Sequence, residues 1–297
     1  MSGRKRILVT GGSGFIGRNI RESYLAERYE LLVPSHAELD CADERSVDNW
    51  FRSHGVDAVI HAAVKPGHRN AADRSDLFYT NTRMFFNLER HRREYGKMLL
   101  IGSGAIYDNR AYRPRMREEE WLERIPADEH GYCKYVCAKA AEAADNIYDL
   151  RVFGIFGPYE DYAIRFISNA ICKALCGLPI TLRQDRIFSY LWVEDLMPVL
   201  EWMLEHEPRF KAYNVVPDEV CSLRALAGTV LELTGAEVPL RVAHEGRGME
   251  YTGDNARLRG EMPDLRFTPV REAVAKLAAW YRGHLAQIDR GALLTDK

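Results

Sequence analysis

The stretch DEHGYCKYVCAKAAE (128–142) twice places a lysine four residues after a side chain able to move a proton. His130 precedes Lys134, and Tyr135 precedes Lys139. On a helix, residues four apart share one face. A cation held beside a phenol favours the phenolate, which eases proton transfer. An imidazole titrates near neutrality without such help. Upstream, KMLLIGSGAIYD (97–108) delivers Ser103 at the end of an apolar run, a hydroxyl able to orient a substrate oxygen.

A second kind of chemistry sits near the start of the chain. VTGGSGFIG (9–17) sets Gly11, Gly14 and Gly17 between an apolar run and a helical pattern. Glycines suit a tight turn whose N–H groups approach a pyrophosphate, and the helix start adds partial positive charge. Ser13, Phe15 and Ile16 lie in the same turn. A glycine-rich turn without a ligand is the bland alternative. The strand-before, helix-after context argues against it.

These residues need a frame. RILVT (6–10), YELLVP (29–34), VDAVIHAA (56–63), KMLLIGS (97–103) and LRVFGIFG (150–157) read as buried strands. Helical spacing fills the intervals, including a long helix over 77–96 closed by Gly96. Alternating strands and helices give an α/β chain with a parallel sheet covered on both faces. Beyond residue 158 the pattern loosens. Helices are expected over 163–177 and 222–235, a strand over 212–217, and a strand running into a helix over 186–205.

Composition sets limits. The 297 residues are 46% hydrophobic and 28% charged, an ordinary globular mix. A net charge of −2 argues against a nucleic-acid partner. No apolar run is long enough to span a bilayer, and the first apolar run is too short for a secretion signal, so a cytoplasmic location is expected. Six scattered cysteines, including the i, i+4 pairs Cys133/Cys137 and Cys172/Cys176, read as helix packing in a reducing compartment. No metal site is expected from their spacing.

The glycine spacing, G-x-x-G-x-x-G, resembles that of the extended short-chain dehydrogenase/reductases, the NAD-dependent epimerase/dehydratase family of nucleotide-sugar enzymes. ELDCAD (38–43) with Asp40 resembles the family's acidic turn near the adenine. DAVIHAAVKPG (57–67) with Ala62 and Ala63, Asn81, Ser103 before Tyr107, LRVFGIFGPYE and WVEDL resemble its later motifs. The resemblance covers nearly the whole chain. It implies a Rossmann-type doubly wound sheet over 1–157 and a smaller C-terminal lobe over 158–297 for a nucleotide-diphosphate sugar, with crossovers returning to the main sheet. It also implies hydride transfer with a nicotinamide cofactor, and a homodimer. The second strand ends at Ser35 and His36 without a carboxylate, and Arg18 follows the loop, so NADP(H) is expected over NAD(H).

The family's tyrosine–lysine pair has two possible registers here. HGYCK (130–134) keeps the glycine and the lysine of the pattern Y-G-x-S-K, with His130 in the tyrosine's place. YVCAK (135–139) keeps tyrosine and lysine but loses the glycine. Length favours the first register, because 17 residues separate Lys134 from Arg151 and only 12 separate Lys139 from it. Three consequences stay open: His130 as acid/base, Tyr132 reaching in, or a cofactor-binding protein that has lost ordinary redox activity.

Within the family the sequence resembles the GDP-fucose synthase and dTDP-4-dehydrorhamnose reductase groups. Ala105 stands where an epimerising member carries a cysteine, and no Thr-Asp-Glu follows the serine strand. Simple 4-keto reduction is therefore expected before 4-epimerisation. Candidate substrate contacts are Lys65, His68, Asn81, Arg165, Asn169, Arg183, Arg186 and Arg247.

Overall fold

A computed structural model describes residues 3–67, 71 and 73–294. The chain enters β1 (Arg6–Thr10), turns through the glycine loop and starts helix α1 (Phe15–Arg21). A single turn, α2 (Leu25–Arg28), leads to β2 (Glu30–Leu32). Then α3 (Glu44–Ser53) leads to β3 (Ala58–His61), α4 (Leu77–Glu89) to β4 (Lys97–Ser103), and α5 (Glu129–Ala143) to β5 (Ile147–Val152). All five strands are parallel. The sheet is apolar on both faces because successive residues point oppositely. Ile7 and Val9 pack with Met197 and Leu200 on one side, while Leu8 packs with Phe85 and Leu88 on the other.

After β5 come β6 (Gly154–Phe156), α6 (Phe166–Leu175), β7 (Ile180–Asp185), β8 (Ile187–Phe188) and β9 (Tyr190–Trp192). Helix α7 (Leu196–Glu205) then returns the chain to the main sheet as β10 (Ala212–Val215), parallel to β5. The strand order is β10-β5-β4-β3-β1-β2. From β1 the chain steps one way to β2 and the other way to β3. The reversal opens a crevice at the C-terminal ends of β1 and β3, where ligands of such sheets bind. β11 (Cys221–Ser222), α8 (Leu223–Thr234), β12 (Leu240–Arg247), α9 (Ala256–Glu261), α10 (Val270–Gly283) and α11 (Arg290–Leu293) complete the chain. Ile171, Leu226 and Leu277 join α6, α8 and α10 in a core of their own.

The α/β class and the doubly wound parallel sheet expected from the sequence are the observed ones. Two elements differ. The strand expected over 150–157 is split, its first part in β5 of the main sheet and its second in β6, which pairs with β9. The helix over 77–96 stops at Glu89, and Gly96 does not cap it. The Gly96 N–H instead donates to Asp57 O (2.9 Å), steering the chain into β4. Gly235 does close α8, at φ +70°.

A buried ionic knot fixes the far edge of the sheet. Arg151 on β5, 1% exposed, donates to Asp149 Oδ2 (2.7 Å), Glu118 O (2.8 Å) and the Tyr107 hydroxyl (3.2 Å). Tyr107 donates to Asn214 Oδ1 (2.8 Å) on β10. A buried charge is tolerable only when paired and hydrogen-bonded in this way.

Candidate active site

One cavity of about 1050 Å³ opens over the C-terminal ends of β1, β3 and β4. Its floor is the glycine loop. Gly11 adopts φ +72°, and a Cβ there would lie 2.7 Å from Ala63 Cα. Only glycine lets the loop press so close to the segment after β3. Gly17 does not line the cavity; a Cβ on it would meet Gly11 O at 2.2 Å, so its part is to seat α1 against the loop. Gly14 caps α1 without a side-chain acceptor, leaving the first-turn N–H groups to a ligand. Ser13, Phe15, Ile16, Ala62 and Ala63 line this end. The cradle that a Cβ would fill therefore fits a dinucleotide diphosphate.

Behind the loop lies a residue that sequence reading did not single out. His61, at the end of β3, holds Thr10 Oγ1 through Nδ1 (2.8 Å), and Thr10 Oγ1 accepts from Ala63 N (3.3 Å). Burial, with the Lys134 charge added, pushes this imidazole down to about 3, so it stays neutral.

At the adenosine end, His36 and Asp40 line the cavity 3.8 Å apart. Ser35 does not; its N–H and hydroxyl both go to Glu38 Oε2 (2.7 Å). Arg18, expected beside a 2′-phosphate, is engaged within the protein. Its guanidinium stacks over Tyr159 (3.7 Å) and pairs with Glu22 (2.8 Å), outside the cavity.

The chemical end forms where α5 meets the turn after β4. Ser103 Oγ accepts from Ala105 N (3.1 Å), which fixes the oxygen and leaves its proton free to donate. Asp128 caps α5 by accepting from Gly131 N (2.8 Å). A Cβ on Gly131 would lie 2.5 Å from Ala105 O, so glycine lets the helix start press on the serine turn. His130 and Lys134 then face the same cavity as Ser103. Lys134 Nζ donates to Ile101 O (3.1 Å). His130, open to the cavity, is pushed down to about 4 by the protein packed around it and by the Lys134 charge. It is a neutral imidazole at pH 7.

The other register faces elsewhere. Tyr135 packs on Trp121 (5.1 Å), and Lys139 lies over the same indole (4.7 Å) and near Glu142 (4.0 Å). Neither lines the cavity. Tyr132 stacks on Phe78 (5.2 Å) on the outside of the sheet layer.

The substrate-side residues separate in the same way. Arg165 and Lys65 line the cavity, Lys65 paired with Asp73 (2.5 Å). Asn81 braces Lys65 by accepting its N–H (2.8 Å). Asn169 is buried and donates to Tyr162 O (3.0 Å). Arg186 donates to Met249 O (2.7 Å) and covers Phe188 (5.3 Å); neither it, Arg183 nor Arg247 lines the cavity. His68 lies outside the described residues. The lobe instead brings in Glu160, Phe188, Tyr190 and Tyr251. Glu160 closes the LRVFGIFGPYE stretch; no local pattern marked the three aromatics, because β8, β9 and the 251 loop reach the cavity only through long-range pairing.

The model of the NAD dependent epimerase/dehydratase family matches residues 7–216. The chain belongs to that family. Among its relatives, GDP-L-fucose synthase of Escherichia coli (strain K12) is 26% identical over 265 residues, spanning 78% of this chain and 82% of that one. A dTDP-4-dehydro-6-deoxy-D-allose reductase of a Streptomyces species is 24% identical over 94% and 97% of the two chains. The fold is shared with a GDP-mannoheptose C4 reductase from Campylobacter jejuni solved with NADP bound (TM-score 0.82, 18% identity, 95% and 99% covered). It is also shared with a GDP-L-fucose synthetase from Naegleria fowleri (TM-score 0.85, 16% identity, 98% and 97% covered). As an epimerase/dehydratase family member the chain is a nicotinamide-dependent nucleotide-sugar enzyme. It departs from the family pattern at His130, and at Cys133 in place of the serine.

Proposed function

We propose that the protein reduces the 4-keto group of a nucleotide-diphosphate 6-deoxy sugar with NADPH. One observation carries this reading: a single cavity joins the glycine loop to Ser103, His130, Lys134 and Arg165. Its volume lies at the top of the usual ligand range, enough for carrier and substrate to meet. The loop N–H groups and α1 hold the carrier's diphosphate, and Lys134 holds the ribose next to its nicotinamide. When bound, the reduced nicotinamide supplies hydride. Ser103 orients the sugar carbonyl, and Arg165 meets the substrate diphosphate. Ala105 lines the cavity where an epimerising member has its cysteine, which supports reduction without inversion at neighbouring carbons.

The preference for NADPH rests on the stretch after the second strand, where Pro34 and His36 line the cavity and no carboxylate stands directly at the strand's end. It rests also on the NADP bound in the heptose reductase of like fold. We further read the protein as a cytoplasmic homodimer. No helix among the described residues is long and apolar enough to cross a membrane. Tyr79, Phe86 and Tyr132 leave exposed aromatic surface on α4 and α5.

The test is to mix the protein and NADPH with GDP- and dTDP-linked 4-keto-6-deoxy sugars in deuterated water. Oxidation of one NADPH per sugar is expected, with no deuterium at C3 or C5. Cofactor binding without turnover on any such sugar would refute the reading. It would favour instead a cofactor-binding protein without redox activity, the alternative that His130 suggests.

A further inference from the structure

The usual tyrosine is missing from α5, yet a phenol stands beside Ser103. It is Tyr251, from the loop that follows β12. Tyr251 lines the same cavity as Ser103, His130 and Lys134. Its ring packs on that of Tyr112 (5.1 Å), whose hydroxyl donates to O of Gly104 (3.2 Å), the residue that follows Ser103. The contact is not accidental, because the whole residue is fixed. Tyr251 N donates to Ile187 O (2.8 Å), and Tyr251 O accepts from Ser189 N (3.1 Å). The ring is wedged against Phe153 (4.9 Å), Tyr112 (5.1 Å) and Phe188 (5.7 Å). Phe153 reaches it over Gly253, where a Cβ would lie 2.7 Å from the Phe153 ring.

We propose that Tyr251, reaching in from the lobe, donates the proton to the sugar's C4 oxygen, taking over the part that His130 leaves vacant on α5. The proposal rests on the 4-keto reductase reading. In that step the carbonyl π bond breaks. The carbon gains hydride from the reduced nicotinamide, the oxygen gains the Tyr251 phenolic proton, and a phenolate remains to be reprotonated by solvent. Two hydroxyls then converge on one oxygen, Ser103 from the end of β4 and Tyr251 from the loop after β12.

The charges around the two candidates favour this assignment. Burial holds the Tyr251 proton on, pushed up to about 12, while Ser103 and the Arg165, Tyr112 and Arg186 groups facing the ring ease its departure. His130, facing Lys134, Asp128 and Arg165, carries no acid proton at neutral pH. Tyr112 is not a substitute, because its hydroxyl donates to Gly104 O (3.2 Å) and it does not line the cavity.

The experiment compares Tyr251→Phe with His130→Gln in the full chain. Tyr251→Phe should lower kcat by about 10²–10⁴-fold, the ordinary worth of a general acid, with NADPH affinity by fluorescence titration unchanged. The fall in kcat at high pH should vanish with it. His130→Gln should keep that alkaline limb and lose less than about tenfold in kcat, the remainder being positioning. A second readout needs no turnover. The carbon-13 ring resonance that Tyr251→Phe removes should titrate at higher pH in Ser103→Ala. Turnover with an unimpaired Tyr251→Phe, or a Ser103→Ala change that leaves the resonance unmoved, overturns the proposal alone. No turnover by the native protein on any 4-keto sugar overturns the reductase reading and the proposal together.

Discussion

Gly131→Ala is the substitution that most directly tests how α5 meets the serine turn. The added methyl would lie 2.5 Å from Ala105 O, 2.7 Å from Pro126 Cβ and 3.0 Å from Asp128 Oδ2. Ordinary contact begins at 3.4 Å, so either the helix start or the Gly104–Ile106 turn must withdraw by about 0.9 Å. Alanine gains about 1 kcal/mol of helix propensity. Overpacking against the Ala105 carbonyl and the Pro126 ring costs about 1–3 kcal/mol. The net expectation is a destabilisation of about 1 kcal/mol in urea unfolding. Activity should suffer more. Ser103 leads directly into the displaced turn, and Lys134 lies three residues beyond Gly131, so the shift falls between the two groups that position carrier and substrate. A misplacement near 1 Å lowers kcat/KM by about 10²-fold. NADPH affinity should fall less, because the glycine loop belongs to β1. A variant as stable and as active as the native protein would refute the close contact and the role assigned to it.

Lys134→Ala should abolish measurable turnover and weaken NADPH binding. Lys139→Ala should leave kcat unchanged and cost at most about 1 kcal/mol in unfolding, the worth of an exposed cation–π contact. The reverse pattern would restore Tyr135 and Lys139 as the working pair. Asp149→Ala leaves Arg151 buried without its carboxylate and should cost about 3–5 kcal/mol by denaturant unfolding; the double change with Arg151→Met should recover part of it. His61 gives a pH test. Its folded pKa lies below its unfolded value, so between about 6.5 and 3 only the unfolded chain takes up the proton. Stability should therefore fall as pH falls from about 6.5, by about 1.4 kcal/mol per unit from this group. The measured slope should be shallower by that amount in His61→Gln.

The sequence shows some of this plainly. β1, β3 and β4 are apolar runs without polar interruption, and the glycines that follow β1 have few uses other than a tight turn against a ligand. Lys134 could be weighed against Lys139 because the chain length left to reach β5 is a countable quantity. Other features depend on partners distant in sequence. Arg18 looked free to hold a 2′-phosphate until Glu22 and Tyr159 were seen to engage it. Arg186 and Arg247 looked like phosphate ligands on charge alone, but where they point is set by β7 and β12, whose pairing no local pattern reveals. Gly96 resembled a helix stop because composition does not say that residues 90–95 already turn away. Tyr251 was invisible for the same reason: nothing within EGRGMEYTGDN tells which side chain meets Ser103.

Asn214, on the edge strand β10, donates to Met116 O (2.9 Å) and to Asp254 O (3.0 Å), just past the loop that carries Tyr251. The two walls of the cleft are thus tailored by separate stretches of chain yet stapled together, at Asn214 and again where Met116 N donates to Thr252 O (3.0 Å). Drift in the 248–254 loop can retune which sugar is turned over, or how, while the carrier's berth stays intact. A scaffold arranged in this way invites new substrates by exchange of a single loop.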